Sequence, residues 1–154
     1  MHMHCIAHIL NLIVNEGLKD ANISIKSVRE AIRYVRNSPS RLRKFREYSE
    51  LDGVECKSSL SLDVPTRWNS TYLMLKIAST YEKAFQFYEE HESNFRLDLG
   101  DNVPTYKDLE YVKQYVKFLH HFYELTLRIS SSQYITANLF FNEIFDLLCT
   151  LNEW

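Results

Sequence analysis

Apolar side chains recur along this chain mostly at steps of three and four residues, the period that lines one face of an α-helix. Residues 7–14 are apolar over most of their surface, and the run closes near Glu16-Gly17. Gly17 is expected to take the left-handed position that ends a helix. Ser27-Val28-Arg29-Glu30 has the form of a capping box and predicts a helix start at Ser27, with Val28, Ile32 and Val35 inward and the arginines outward. Ser38-Pro39 reads as N-cap and first residue of another helix reaching about Tyr48, so basic helices are expected over 26–48. The pattern loosens over 50–66, which reads as a linker. Within it Leu60, Leu62 and Val64 alternate, and Pro65 holds Val64 extended, so one short strand is expected.

From Asn69 or Ser70 a long helix is predicted to about residue 92, with Leu73, Ile77, Tyr81, Ala84 and Tyr88 on one stripe. Residues 94–104, with Gly100 among them, read as a loop. Thr105-Tyr106-Lys107-Asp108 is a second capping-box form, opening a helix over about 105–130. Leu109, Val112, Val116, Leu119 and Tyr123 make one apolar stripe of that helix, and Tyr111, Tyr115, Phe118, Phe122 and Leu125 make another beside it. Two adjacent stripes predict packing against more than one neighbour. Ser130-Ser131-Ser132 should end it, and Thr136 should cap a last helix over 136–154 with Phe140, Ile144, Leu147 or Leu148, and Leu151 inward. That helix meets no stop signal, so the chain is expected to be cut from something longer. The fold class expected is mostly α.

Composition agrees. Three glycines and three prolines in 154 residues leave few helix breakers, and 45% hydrophobic with 25% charged residues is ordinary for a globular domain. No apolar run approaches the roughly 18 residues that cross a bilayer. Cys5, Cys56 and Cys149 are odd in number and widely spaced, which argues against a secreted disulfide framework. A soluble intracellular domain without membrane partners is therefore expected. Charge adds a feature that composition hides. The net charge is −2, yet residues 26–46 hold eight basic residues (Lys26, Arg29, Arg33, Arg36, Arg41, Arg43, Lys44 and Arg46) against Glu30 alone. Such segregation suits either a surface facing a polyanion or a solvated basic face.

Signals of catalysis are weak: no phosphate-binding, dinucleotide, zinc-protease or nucleophile-elbow motif occurs. Cys5-x-x-His8 has the spacing of half a tetrahedral zinc site, but no second Cys/His pair follows, so no metal site is expected. Cys5 then packs as a small hydrophobe and His8 makes a hydrogen bond at a helix start. Arg67-Trp68 closes the linker beside a helix N-terminus. In that place Trp68 either stacks on an unpaired base while Arg67 meets a phosphate, or simply plugs the start of the helix.

Several strings together resemble one family. Cys5-Ile6-Ala7-His8-Ile9-Leu10-Asn11-Leu12-Ile13-Val14 is similar to the C-x-x-H block of hAT-superfamily transposases. Val35-Arg36-Asn37-Ser38-Pro39-Ser40-Arg41-Leu42-Arg43-Lys44-Phe45, residues 62–75, and the tail around Thr136-Ala137-Asn138-Leu139-Phe140-Phe141 and Leu151-Asn152-Glu153-Trp154 resemble its plant BED-zinc-finger members, the RICESLEEPER-like proteins. The resemblance implies residues 1–20 as the end of an RNase H-like core and 21–154 as a helical insertion. It implies a nuclear, DNA-binding, domesticated transposase relative that forms homo-oligomers when whole. A BED finger would hold zinc, and two Asp and one Glu would hold Mg²⁺ or Mn²⁺ in active members. Those three acids are expected outside this chain, leaving it with no cofactor and no catalysis of its own. DNA contact is expected at Arg67 and Trp68, the family's R-W pair, and at Arg33, Arg36, Arg41 and Arg43; Cys5 and His8 are the structural motif. A helical protein-interaction or dimerisation module without DNA contact is the alternative, as is part of a still active transposase.

Overall fold

A computed structural model describes residues 3–54, 58–131, 141–143, 145, 146 and 149, with backbone alone for 3–7 and 129–131. The fold is all helical, and no strand occurs among the described residues. Seven bounded helices among the described residues follow in order: α1 (Met3–Leu18), α2 (Asn22–Arg36), α3 (Pro39–Leu51), α4 (Trp68–Thr80), α5 (Glu82–His91), α6 (Ser93–Leu99) and α7 (Tyr106–Ser131), with a 3-10 turn at Gly100–Asn102. Helix α7 is the spine, packing against α1, α2 and α4, while α3 pairs with α5 and α2. The buried residues of α7 divide along its length and not between the two expected stripes, with Leu119 of the first stripe joining Phe122 and Leu125 of the second. Leu109 and Val112 join a large cluster with Ile25, Ile32, Val35, Phe45 and Tyr88. Leu119, Phe122 and Leu125 join a smaller one with Leu10, Val14, Trp68 and Tyr72. Leu18 and Val116 touch both.

Two predicted caps form. Ser38 accepts from the Arg41 amide at 3.5 Å, with Pro39 as first helical residue. Thr105 and Asp108 exchange bonds as a reciprocal box: the Thr105 amide donates to Asp108 Oδ2 at 2.8 Å, and the Asp108 amide to Thr105 Oγ1 at 3.2 Å.

Elsewhere the structure corrects the sequence reading. Ser27 caps nothing. It is buried inside α2, where its hydroxyl donates to the Ile23 carbonyl one turn back, an outlet that lets serine sit mid-helix. Gly17 does not take the left-handed conformation, which only Gly53 and Gly100 adopt; it lies within the last turn of α1. The expected strand is an extended segment with no partner strand. Its Val64 amide is satisfied by Ser70 Oγ at 2.9 Å instead of by a ladder. The single helix predicted over 69–92 is two, broken at Tyr81. Ser79 and Thr80 hydroxyls take the Lys76 and Ile77 carbonyls at 2.7 Å each, and the Tyr81 amide closes a tight turn onto Ala78. The break turns α4 toward α7 and α5 toward α3. Because of it Leu73, placed on the buried stripe, is 41% exposed. The expected loop over 94–104 contains α6, which is too short for periodicity to betray; Phe95 anchors it against Tyr34 and Tyr88 at 5.4 and 5.1 Å between ring centres. Helix α7 runs through Ser130 to Ser131, so the serine run expected to end it lies at its last described residues. Of the last predicted helix, 141–143 are helical and most of the rest, including Thr136 and Phe140, lies outside the described residues.

Candidate nucleic-acid interface

The entry to α4 is built from side chains of the segment Leu62 to Tyr72. Asp63 is its centre. Its carboxylate is wholly shielded from solvent and takes a two-pronged bond from the Arg29 guanidinium of α2, 2.8 Å on each side. Thr71 Oγ1 of α4 donates to it at 2.6 Å. Burial alone would push the Asp63 carboxyl up, but the bonds from Arg29 and Thr71 and the guanidinium charge outweigh it and hold the group below the usual carboxylate range. The bond to Asp63 in turn raises Arg29. Ser70 completes the knot by donating to the Val64 and Arg67 carbonyls. No rule of spacing identifies Asp63 in advance, because its partner Arg29 stands 34 residues upstream.

Trp68 is the first residue of α4 and only 4% exposed, set among Leu10, Val14, Tyr72, Leu119, Phe122 and Leu125. That is the placement of a helix-start plug. Arg67, its neighbour, is exposed at the N-cap position. With Trp68 buried and Arg67 exposed, the structure does not bring the R-W pair together around one ligand. For Trp68 to stack on a base, the start of α4 would have to open.

The basic segment divides in two. Arg29 is held by Asp63. Arg33 pairs with Glu30 one turn back. Arg41 lies over the Tyr34 ring at 3.8 Å, donates to the Tyr34 carbonyl at 3.3 Å and reaches Asp98 at 3.8 Å. Lys44 pairs with Glu92 at 3.1 Å, where Tyr48 also donates at 2.8 Å. Burial pushes the Glu92 carboxyl up, and these two bonds more than offset it, leaving the group below its ordinary range. Lys26, Arg36, Arg43 and Arg46 are exposed and have no acidic partner among the described residues. Lys26, Arg29, Arg33 and Arg36 step by three, four and three along α2, so their side chains form one stripe opposite Val28, Ile32 and Val35. Of the four arginines expected to meet DNA, Arg36 and Arg43 have no acidic partner among the described residues, while Arg33 and Arg41 are paired with Glu30 and Asp98 at the surface.

At the other end of the chain, His8 is exposed on α1, and Cys5 lies on the same helix with its side chain outside the described residues. Among the described residues no three His, Cys, Asp or Glu side chains converge as metal ligands. Among the described residues no helix is long and apolar enough to cross a membrane.

Comparison with known proteins places this architecture. Residues 3–122 match the family model of the ZBED1 RNase-like helical domain. The chain is 33% identical over 151 residues to the zinc finger BED domain-containing protein RICESLEEPER 2 of Oryza sativa subsp. japonica, covering 98% of this chain and 20% of that protein. It is 30% identical over 159 residues to the putative AC transposase of Zea mays, covering 99% of this chain and 19% of that one. A more distant relative, the zinc finger BED domain-containing protein DAYSLEEPER of Arabidopsis thaliana, is 29% identical over 101 residues, 66% of this chain and 14% of its own length. The chain spans about a fifth of the length of the first relatives it matches. No solved structure matches it. All-helical, with α7 as its spine and the 62–72 knot at its centre, the chain belongs to the RNase-like helical domain family of hAT-type transposases and their BED-zinc-finger relatives.

Proposed function

We propose that this chain is the helical insertion of a transposase-derived nuclear DNA-binding protein, and that it meets the DNA backbone through α2 and α3. The observation that carries this reading is the set of exposed cations with no acidic partner among the described residues, Lys26, Arg36, Arg43 and Arg46, in a segment whose other cations pair with Glu30 and with acids elsewhere in the chain. Unpaired guanidinium groups on rigid helices can displace counterions from phosphates without first breaking a contact of their own. Arg67 is a further exposed cation at the mouth of α4. Trp68 contributes by holding that mouth shut. Cleavage, on this reading, belongs to carboxylates elsewhere in the longer protein, with Mg²⁺ or Mn²⁺ there and zinc in a BED finger. Homo-oligomerisation is likewise a property of that whole protein.

The test is duplex binding across a salt series. Reversing Arg36 and Arg43 to Glu should weaken binding and lower the slope of log affinity against log salt by roughly 2, about 0.9 for each phosphate that is no longer neutralised. An unchanged slope with the fold intact would refute the DNA-facing assignment. The chain alone should leave supercoiled plasmid uncut in Mg²⁺ or Mn²⁺; nicking abolished by EDTA would show that it carries a catalytic set after all.

A second reading has one observation in its favour. Ile9, Leu12 and Ile13 are each about half exposed on the outer face of α1, as is Leu127 on α7. An apolar face of this kind suits a protein-interaction module. Changing Ile9, Leu12 and Ile13 to Ser would then abolish association while leaving DNA binding untouched, which separates the two readings.

A further inference from the structure

A cleft of about 350 Å³ opens between the end of α1 and the middle of α7, lined by Gly17, Asp20, Tyr111, Gln114, Tyr115 and Phe118. It exists because Gly17 has no side chain. A Cβ there would already stand 4.0 Å from Phe118 Cε1, so a longer side chain would enter the space. Tyr115 is fixed as one wall by its hydroxyl, which donates to the Gly17 carbonyl at 3.3 Å. Its ring stands 5.2 Å from that of Tyr111 at 51° and 6.4 Å from that of Phe118 at 73°. The three rings are angled walls and not a stack. Tyr111 is 42% exposed, so the cleft is reached directly from solvent.

Asp20, in the turn between α1 and α2, supplies the one full charge among the lining residues. It makes no ion pair among the described residues, while its neighbour Lys19 is tied to Glu16 at 2.6 Å. Asp20 lines the same cleft as Tyr115, whose phenol is held above its ordinary range by burial first, then by Tyr111 and then by the Asp20 charge. Aromatic side chains and a carboxylate with no ion pair among the described residues, lining one apolar cleft, suit a cation that carries an apolar shell. A bare lysine ammonium is too strongly hydrated to enter readily, whereas methylation removes its hydration and adds carbon surface.

We propose that this cleft binds a methylated lysine side chain presented by a partner peptide, with Tyr111, Tyr115 and Phe118 as the cage and Asp20 as the counter-charge. None of the proposed DNA-facing residues belongs to it, so the assignment stands apart from the DNA-binding reading. The test titrates the full 154-residue chain with three short Gly/Ser-flanked peptides, followed by calorimetry. One carries trimethyllysine, one lysine, and one the neutral isostere with a tert-butyl group in place of the quaternary ammonium. The trimethyllysine peptide should bind about tenfold tighter than either of the others, the scale of a desolvated cation–aromatic contact. Asp20→Asn and Tyr111→Leu should each weaken it roughly fivefold without moving the unfolding midpoint, because both side chains are exposed. Equal binding of the neutral isostere, no detectable binding of the trimethyllysine peptide, or indifference to both variants would overturn the proposal.

Discussion

Asp63 shows how a single buried charge can fix the path of a chain. It ties α2 to α4 through Arg29 and Thr71 across a stretch that has no regular structure of its own. Removing one partner of such a pair strands the other, so Asp63→Ala is expected to cost about 3–5 kcal/mol in chemical denaturation. The pH dependence follows from the same bonds. Because its folded pKa is lowered, Asp63 adds stability that is fully present above the unfolded value, about 4, and is lost as pH falls through the folded value. Glu92 and Asp108 act in the same direction. Stability should therefore drop below about pH 4, and Asp63→Asn should flatten part of that acid limb while lowering stability at neutral pH. An acid limb of unchanged steepness would show that Asp63 does not drive it. Trp68 makes the complementary case. Set in the core at 4% exposure, its change to Ala should lower stability by about 3–5 kcal/mol. A midpoint unmoved by that change, with selective loss of unpaired-DNA binding, would restore the stacking role.

At the level of helices, the position of a hydroxyl group sets the sign of its effect: Ser38 and Thr105 cap α3 and α7, whereas α2, α4, α5 and α6 start without a side-chain cap. Thr105 exchanges two bonds with the Asp108 unit at the start of α7, so Thr105→Ala should cost about 1 kcal/mol. Ser27 carries the same signature in sequence but sits inside α2, bonded to Ile23. There alanine is the better helix former, and Ser27→Ala should change stability by no more than about 0.5 kcal/mol. Thermal melts of the two variants check both; a loss of about 1 kcal/mol at Ser27 would mean that α2 starts there. The break at Tyr81 shows tertiary packing overriding a continuous helical pattern. One straight helix over 69–92 could not lay its first half on α7 and its second on α3.

At the scale of the molecule, the described residues form two apolar clusters joined at few points. Leu18 and Val116 are partly buried residues packed against both. They should make unfolding a single cooperative event. Truncating both to Ala should weaken the link enough to separate two transitions, the smaller cluster around Trp68 melting first. Near-UV and far-UV circular dichroism through a denaturant series would show this; coincident curves in the double variant would mean the coupling lies elsewhere. Charge too is organised at this scale. Part of the positive charge of residues 26–46 is countered by Asp63, Asp98 and Glu92, acids that stand far along the chain yet close in space, while Lys26, Arg36, Arg43 and Arg46 have no acidic partner among the described residues.

The all-helical class, the caps at Ser38 and Thr105, the two-sided burial of α7 and the family resemblance could be read from the sequence, because each is a pattern within a few turns of chain. Short-range geometry links residues three and four apart whatever the rest of the molecule does. The division of α4 from α5, the existence of α6, the burial of Trp68 and the sorting of the arginines into engaged and free could not. Each depends on a partner tens of residues away: Arg29 on Asp63, Lys44 on Glu92, Trp68 on Leu10 and Leu125. The sequence could say that residues 26–46 were basic; only the packed structure could say which of those charges have already been answered.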